Sequence, residues 1–463
     1  MSTAGFVERY GLQRAETGDA LKLIEDRKLE TVRVSFADQH GVLRGKTIMA
    51  SSFASACENG VPITSTLLLK DTSHQTVFPV WGADAGFGDG RLTGAGDVIM
   101  VPDASTFRYL PWSPTTGWVL CDLYHSDGAP VGFSSRQVLR DALGRLDAGG
   151  MQLMTGLEVE FHVLKADGGP DDGHLTHGFQ YLTEDRYDQL EPVFELIRRN
   201  AVEACLPVRT LEAEFGPSQC EVTFEPAGGM AHADNMVLFR ALVKQVLRRE
   251  GLKASFMCRP LIEQSMANGW HLHQSLVDAK SGDNLMIPGD DDVLSKIGRQ
   301  WVAGLLDHAS ESCLFSTPTV NGYRRYQPFK LAPDRIQWGL DNKGAMIRAL
   351  ASPGDPASRI ENRIGEPAAN PHYYFASQIL SGLDGIERGL EPPAPVETPY
   401  DSDAAQLPQN LGEAIDAFAA SKFYRSQLGD EFVDYLIKLK RAEWQRYLAA
   451  VSQWEQDEYF DLF

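Results

Sequence analysis

Five glutamates and one histidine stand in short segments whose other residues are mostly apolar or β-prone. They are Glu158 and Glu160 in GLEVEF, Glu214 and Glu221 in EFGPSQCE, His271 in NGWHLHQS and Glu361 in RIENR. An ionised carboxylate in such a setting is unfavourable unless it is paired, hydrogen-bonded or bound to a metal. A chain of this kind is therefore confined to folds that expose these strands or gather their charges. Glu158 and Glu160 lie two apart in a run that alternates with Leu157, Val159 and Phe161, so both leave one face of a strand. Carboxylates held that close repel, and a hard divalent cation relieves the repulsion. An oxygen-rich set with a single imidazole suits Mg²⁺ or Mn²⁺ better than Zn²⁺. For any one pair taken alone, a solvated acidic edge with ordinary ion pairs explains the pattern as well.

The 463 residues are enough for one large core or two unequal domains. Forty-three basic residues against sixty-three acidic ones give a net charge of −20, the wrong sign for a phosphate-tracking surface, so nucleic acid is excluded as a partner. No apolar run approaches the ~18–20 residues that span a bilayer, and the N-terminal stretch lacks the basic and apolar regions of a signal peptide. Six cysteines (Cys57, Cys121, Cys205, Cys220, Cys258, Cys313) are spread singly with no CxxC pair, as expected of reduced thiols in a cytoplasmic protein.

Along the chain, helical spacing near residues 19–30 gives way to an alternating strand at 31–37. A turn at Asp38-Gln39-His40-Gly41 follows, then a returning strand to Met49. This predicts a small β-rich module ending near Trp112, with the glycine-rich stretch 82–96 as a mobile loop. Gly41-Val-Leu-Arg-Gly-Lys-Thr47 is one residue short of a phosphate loop and lies in a hairpin rather than between strand and helix, so that reading is rejected. From Gly117 onward strand-like and helical segments alternate, with helices near 135–148 and 235–250. This predicts an α+β domain on a largely antiparallel sheet. A proline-rich break at 391–399 precedes a C-terminal helical pair.

Two further groups give the acidic set its meaning. His271 and His273, with Ser275, occupy one face of one strand. Arg324, Arg325, Lys343, Arg348, Arg359 and Arg363 crowd the same stretch as Glu361. Arginines beside paired metals are what phosphoryl transfer requires, because negative charge must be shared over several oxygens. At these residues the chain resembles the glutamine synthetase family over nearly its whole length. The motifs GLEVEF, EFGPSQCE, HLHQS, NGYRRYQP, WGLDNKGAMIR, RIENRIGEPAANP and SGLDGI occur in the family's order. The N-terminal stretch (VSFADQHGVLRGK, then VPD and LPW) looks like the family's β-grasp domain.

The resemblance implies a β-grasp domain over 1–114 and a catalytic domain with C-terminal helices over 115–463. It implies ATP-dependent activation of a glutamate side chain as an acyl phosphate, followed by attack of an amine. Carried over residue by residue, Glu160, Glu214 and Glu221 would hold one metal, and Glu158, His271 and Glu361 a second, nearer ATP. His273, Ser275, Lys343, Arg348 and Arg359 would face ATP, while Arg325 and Arg363 would grip glutamate and the transferred phosphoryl group. Family members form rings, usually dodecamers in the type I branch.

The departures gather around the nucleophile. Family members that use ammonia hold it with an Asp of the N-terminal domain and a Glu in the flap before Ala-Pro. Here Leu331 stands at the Glu position before Ala332-Pro333, and the Asp position falls near Thr64, with Asp71 as a substitute. Leucine neither attracts ammonium nor takes its proton, so ammonia is expected to be a poor substrate. Phe329, Tyr326 and Trp270 suit a bulkier or apolar amine. An arylamine such as aniline is already neutral at pH 7 and needs no base. This pattern resembles the branch of γ-glutamyl–amine ligases. Met266-Ala267 stands in place of the family's Asn-Gly, and Lys343 in place of an Arg, so an acyl substrate other than glutamate stays open, although Arg325 and Arg363 favour glutamate. The alternatives are an ordinary ammonia-using glutamine synthetase and a catalytically silent relative serving assembly.

Overall fold

The structure is a computed structural model, and it describes residues 4–13, 15–84, 86, 90–168, 173–329 and 332–463. Two sheets organise it. The first is built from β1 (Thr31–Ala37), β2 (Leu43–Met49), β3 (Val61–Thr64), β4 (Asp97–Pro102), β5 (Arg108–Tyr109) and β6 (Thr116–Tyr124), in the order β2-β1-β6-β4-β3 with β5 also on β6. β6 runs parallel to β1 and antiparallel to β4. Its residues Trp118–Cys121 are buried, so its hydrogen bonds and core both belong to this sheet. The sheet thus extends to Tyr124, past the boundary expected at 114/115, because the apolar strand TGWVLCDLY closes the N-terminal module rather than opening the next one. Of the glycine-rich stretch 82–96, residues 85 and 87–89 lie outside the described ones, while Leu92 is buried in the core.

The second sheet contains β7 (Met151–Lys165), β8 (Val208–Ala213), β9 (Gln219–Phe224), β10 (Ala227–Gly228), β11 (Leu252–Ser255), β12 (Trp270–Asp278), β13 (Trp338–Leu340), β14 (Ile347–Leu350) and β15 (Arg359–Gly365). Its order is β13-β14-β15-β12-β7-β9-β8, with β10 and β11 also on β7, and it is antiparallel except for β13 with β14. Period-two alternation decides its faces. Leu157, Val159 and Phe161 of β7, Leu272 of β12, Val222 of β9 and Ile360 of β15 are all at most 1% exposed. The helices Ser135–Ala148 and Ala231–Arg249 pack on β7.

Several contacts among the described residues join the two halves, and two of them centre on buried polar groups. The β1–β2 turn is closed by Asp38 Oδ1, which accepts from the amides of His40 and Val42, both at 2.9 Å. Gly41 (φ +68°) lies so close to the other half that an added Cβ would sit 3.0 Å from Asn370 Cα. Asn370 caps the helix Pro371–Glu387 and donates to Asp38 O. The second such group is Arg136, 5% exposed, which donates to Asp122 (2.7 Å), Asp103 (2.8 Å) and Asp234 (2.9 Å). Asp234 in turn accepts from His372.

The proline-rich segment is docked against the sheet rather than being a simple break. The carbonyls of Pro393, Val396 and Pro399 accept from Trp338 Nε1, Asn342 Nδ2 and Gln337 Nε2, and a proline loses no acceptor. The expected C-terminal pair is present as Leu411–Ala420 and Lys422–Leu448, followed by Gln453–Tyr459.

Candidate active site

Strand register brings five of the six singled-out residues together. Glu160 pairs with Glu221 across β7 and β9, Glu158 with His271 across β7 and β12, and Glu361 with His273 across β12 and β15. Directly opposed residues hold their Cβ atoms about 4.5–5.5 Å apart. His271 is the centre. Its Nδ1 lies 2.8 Å from Glu158 and 3.5 Å from Glu361, and its Nε2 lies 4.0 Å from Glu160. Two groups of donors converge closely enough for an ion: Glu158, His271 and Glu361, and Glu160, Glu221 and His271. Glu214 lines the same cavity without joining either group.

Electrostatics sort the cluster in two. Burial, then Glu214, push the Glu160 carboxyl up to about 8. Burial raises Glu214 to about 7, and burial together with Glu158, Glu160 and Glu214 holds Glu221 well above the carboxylate range. Burial also opposes ionisation of Glu158 and Glu361. For Glu158 His271 and His273 outweigh it, for Glu361 Arg363 and the same histidines, so both stay below their ordinary values. Burial and Arg363 draw His271 down to about 4, so it is a neutral imidazole, the form that binds metals. Three buried carboxylates that hold protons for want of a counter-charge, around a neutral imidazole, make a donor set that fits hard divalent cations.

Supporting contacts fix these side chains. Gln219 Nε2 (3.0 Å) and the amide of Gly269 (3.1 Å) both donate to Glu160 Oε2. Gly269 has no room for a side chain, since a Cβ there would lie 2.6 Å from the Arg325 guanidinium. Arg325 donates to His271 Nε2 (3.2 Å) and to the carbonyl of Arg363, and Arg363 reaches Glu361. Arg348 donates to Glu361 (3.1 Å) and Arg359 to His273 Nδ1 (3.1 Å). Lys343 lines the cavity and its carbonyl accepts from Arg363. Ser275 follows His273 by two on β12 and so shares its face.

The cavity measures about 400 Å³, and the carboxylates among its lining residues are Glu158, Glu160, Glu214 and Glu221, all members of the cluster. Its other wall holds residues that the motifs did not single out: Phe179, Tyr181 and Phe215. Tyr181 and Phe215 stack at 4.3 Å with an interplanar angle of 2°. Phe215 follows Glu214 directly and could have been noticed there. Phe179 and Tyr181 sit in a stretch with no periodicity and no motif.

The residues expected around the amine fall elsewhere. Trp270 is fully buried against Tyr374 and Phe375, because alternation along β12 sends it away from His271. Tyr326 is buried and bonded to Thr317 and to the carbonyl of Ile364. Phe329, 76% exposed, packs on Tyr400 and does not line the cavity. Thr64 ends β3 in the first sheet and accepts from the amide of Thr66. Asp71, the substitute acid, is committed to Ser73, Gln75 and Arg446. Leu331 lies outside the described residues. A third acidic grouping, Asp307, His308 and Asp384, is a helix–helix ion network in which Arg388 donates to both aspartates.

Comparison with known proteins agrees with this geometry. Residues 133–459 match the family model described as glutamine synthetase, catalytic domain. The chain is 41% identical over 482 residues to a gamma-glutamylanilide synthase of an Acinetobacter species, spanning 97% of this chain and 96% of that one. It is 29% identical over 453 residues to a glutamate–isopropylamine ligase of a Pseudomonas species, with 95% and 96% covered. A solved structure described as apo GmaS without ligand superposes with a TM-score of 0.82 at 28% identity, covering 95% of this chain and 99% of that one. The chain belongs to the glutamine synthetase family.

Proposed function

We propose that the protein is an ATP-dependent ligase that joins the γ-carboxyl of glutamate to an organic amine through a γ-glutamyl phosphate. The observation that carries this reading is the convergence of Glu158, Glu160, Glu221, Glu361 and His271 on one sheet face, with Glu214 lining the same cavity and Arg325 and Arg363 beside them. Glu160, Glu214 and Glu221 would hold one Mg²⁺ or Mn²⁺, and Glu158, His271 and Glu361 a second. Such ions neutralise the charge of the transferring phosphoryl group and align it with the acceptor. Arg348 and Arg359, with His273, Ser275 and Lys343, serve ATP. Arg325 and Arg363 serve glutamate and the phosphoryl oxygens, where a planar fork matches paired oxygens.

The amine is the discriminating substrate. An ammonium ion needs a carboxylate to attract it and accept its proton. Every carboxylate among the described lining residues is already a member of the cluster. An amine that is neutral at pH 7 makes no such demand, and Phe179, Tyr181 and Phe215 offer it an aromatic wall. The reading is therefore of an arylamine-accepting enzyme, and aniline is its test compound. Phosphate release with ATP, Mg²⁺ and glutamate should be fastest with aniline, slower with isopropylamine and slowest with ammonia. Best turnover with ammonia would refute it, and no release with any amine would favour the silent relative.

Phe215→Ala should lower kcat/KM for aniline by roughly 10–100-fold, the worth of a lost apolar contact in a specificity pocket. The effect on methylamine should be much smaller. Equal losses on both amines would move the aryl site elsewhere.

The assembly we infer is a homo-oligomeric ring, a dodecamer. Its support is the apolar tail, in which Trp454, Phe460, Leu462 and Phe463 are 62–95% exposed at one end of the chain. Light scattering should give a mass about twelve times the 51.1 kDa of one chain.

A further inference from the structure

A second cavity, about 560 Å³, lies between the β1–β2 hairpin and the helix Ala231–Arg249, and it shares no lining residue with the carboxylate cavity. Five cationic side chains line it: Arg33, Arg44, Lys46, Arg240 and Lys244. No aspartate or glutamate is among its described lining residues, in a chain of net charge −20. Arg44 reaches Asp38 at 2.9 Å behind the wall. The other contacts are to neutral acceptors. Arg33 donates to Gln245 Oε1 (2.8 Å), Lys46 to Pro62 O (2.6 Å), and Arg240 to the carbonyls of Gly41, Pro367 and Ala369 (2.8–3.0 Å). Lys244, at the exposed rim, has no hydrogen-bond partner among the described residues. Partial burial of its amine, and then its neighbour Arg240, disfavour its charge. Burial likewise draws Arg240 down to about 10. His40 Nδ1, also on this wall, is buried without a partner.

A carbonyl oxygen orients a cation without neutralising it, so the five cations give the cavity a positive potential that Asp38, beside Arg44 and Arg240, offsets only in part. Its remaining wall holds the apolar Trp112, Trp118, Leu238 and Phe256 together with a few neutral polar side chains such as Gln245 and Ser255. The volume falls in the range of small-molecule sites. We propose that this cleft binds a small organic dianion, a flat apolar body bearing two carboxylate or phosphate charges. The site is distinct from the catalytic one and joins the N-terminal sheet to the catalytic half. Arg240 extends it further, since its carbonyl partners at Pro367 and Ala369 follow β15, the strand of Glu361 and Arg363. An anion seated here would relieve the repulsion between Arg240 and Lys244.

The test is calorimetric titration of the assembled, metal-free protein with isophthalate and with phenyl phosphate. The two probes share the required chemistry and separate a carboxylate source from a phosphate source. One saturable site per chain is expected for at least one probe. The double variant Lys244→Gln/Arg33→Gln should weaken it by about tenfold or more, while Glu221→Gln in the catalytic cavity leaves it unchanged. Lys244→Glu, which supplies an anion from within, should raise Tm and block the probe. Absence of saturable binding by both probes overturns the proposal. Binding that survives the double variant, or is lost with Glu221→Gln, overturns it as well.

Discussion

Glu221→Gln is expected to lower kcat/KM by about 10²–10³-fold while making the metal-free protein more stable at neutral pH. Both effects come from one cause. Glu221 is held well above the ordinary carboxylate range by burial and by Glu158, Glu160 and Glu214. A carboxyl whose folded pKa is raised binds its proton more tightly when folded, so its favourable contribution is complete below the unfolded value near 4.3 and is lost as pH rises through the folded one. With Glu160 rising to about 8 and Glu214 to about 7, the metal-free protein should lose Tm between roughly pH 5 and 8. Mg²⁺ should restore it, because an ion replaces the protons. Glu221→Gln should flatten that slope, and its gain in Tm should be larger at pH 8 than at pH 5. Thermal scans at several pH values, with and without Mg²⁺, read this directly. A substitution that destabilised equally at both pH values would mean that the carboxylates are not in electrostatic conflict.

Arg136→Met should destabilise the protein by about 3–5 kcal/mol without touching the catalytic cavity. The guanidinium is 5% exposed and bridges Asp103, Asp122 and Asp234, so its removal leaves three half-buried carboxylates facing one another, with only Arg140 at Asp122 and His372 at Asp234 to offset them. These aspartates come from the first sheet and from the helix Ala231–Arg249, so the loss should appear as weakened docking of the N-terminal module. Asp234 gives a pH signature of the opposite sign to Glu221. Burial opposes its charge, but Arg136 and His372 hold it down to about 2. Its contribution is therefore present above the unfolded value near 3.9 and is lost as pH falls toward about 2. Urea titration of Arg136→Met and Asp234→Asn, singly and together, should show strong non-additivity. Independent, small effects would reduce the hub to a set of surface pairs.

Legibility differed with the kind of signal. The strands bearing Glu158, Glu160, His271 and Glu361 were readable because apolar alternation marks a strand, and a charge inside the alternation marks its other face. The helices near 135–148 and 235–250 were readable for the same reason at the helical period, the second starting four residues earlier than its pattern suggested. The helix Pro371–Glu387 offered no such stripe, since it is buried on nearly all sides and its apolar residues do not alternate with polar ones. The strand Thr116–Tyr124 was recognised as a strand but assigned to the wrong sheet, because pairing partners leave no mark within a strand. Trp270 was misplaced for a smaller reason. Proximity to His271 in sequence puts it one residue along β12, and one residue along a strand is the opposite face.

The chain's order of residues by itself determined which side chains must share a low-dielectric space, since carboxylates set in apolar strands have few other stable arrangements. It also determined the reaction type, through the motifs that place arginines and histidines beside those carboxylates. Only the tertiary structure decided which partners meet and what surrounds them: Glu160 opposite Glu221, the Tyr181–Phe215 stack facing the cluster, and five cations gathered beneath the hairpin. Register between distant strands depends on long-range packing and loop closure, and no local stretch of sequence carries that information.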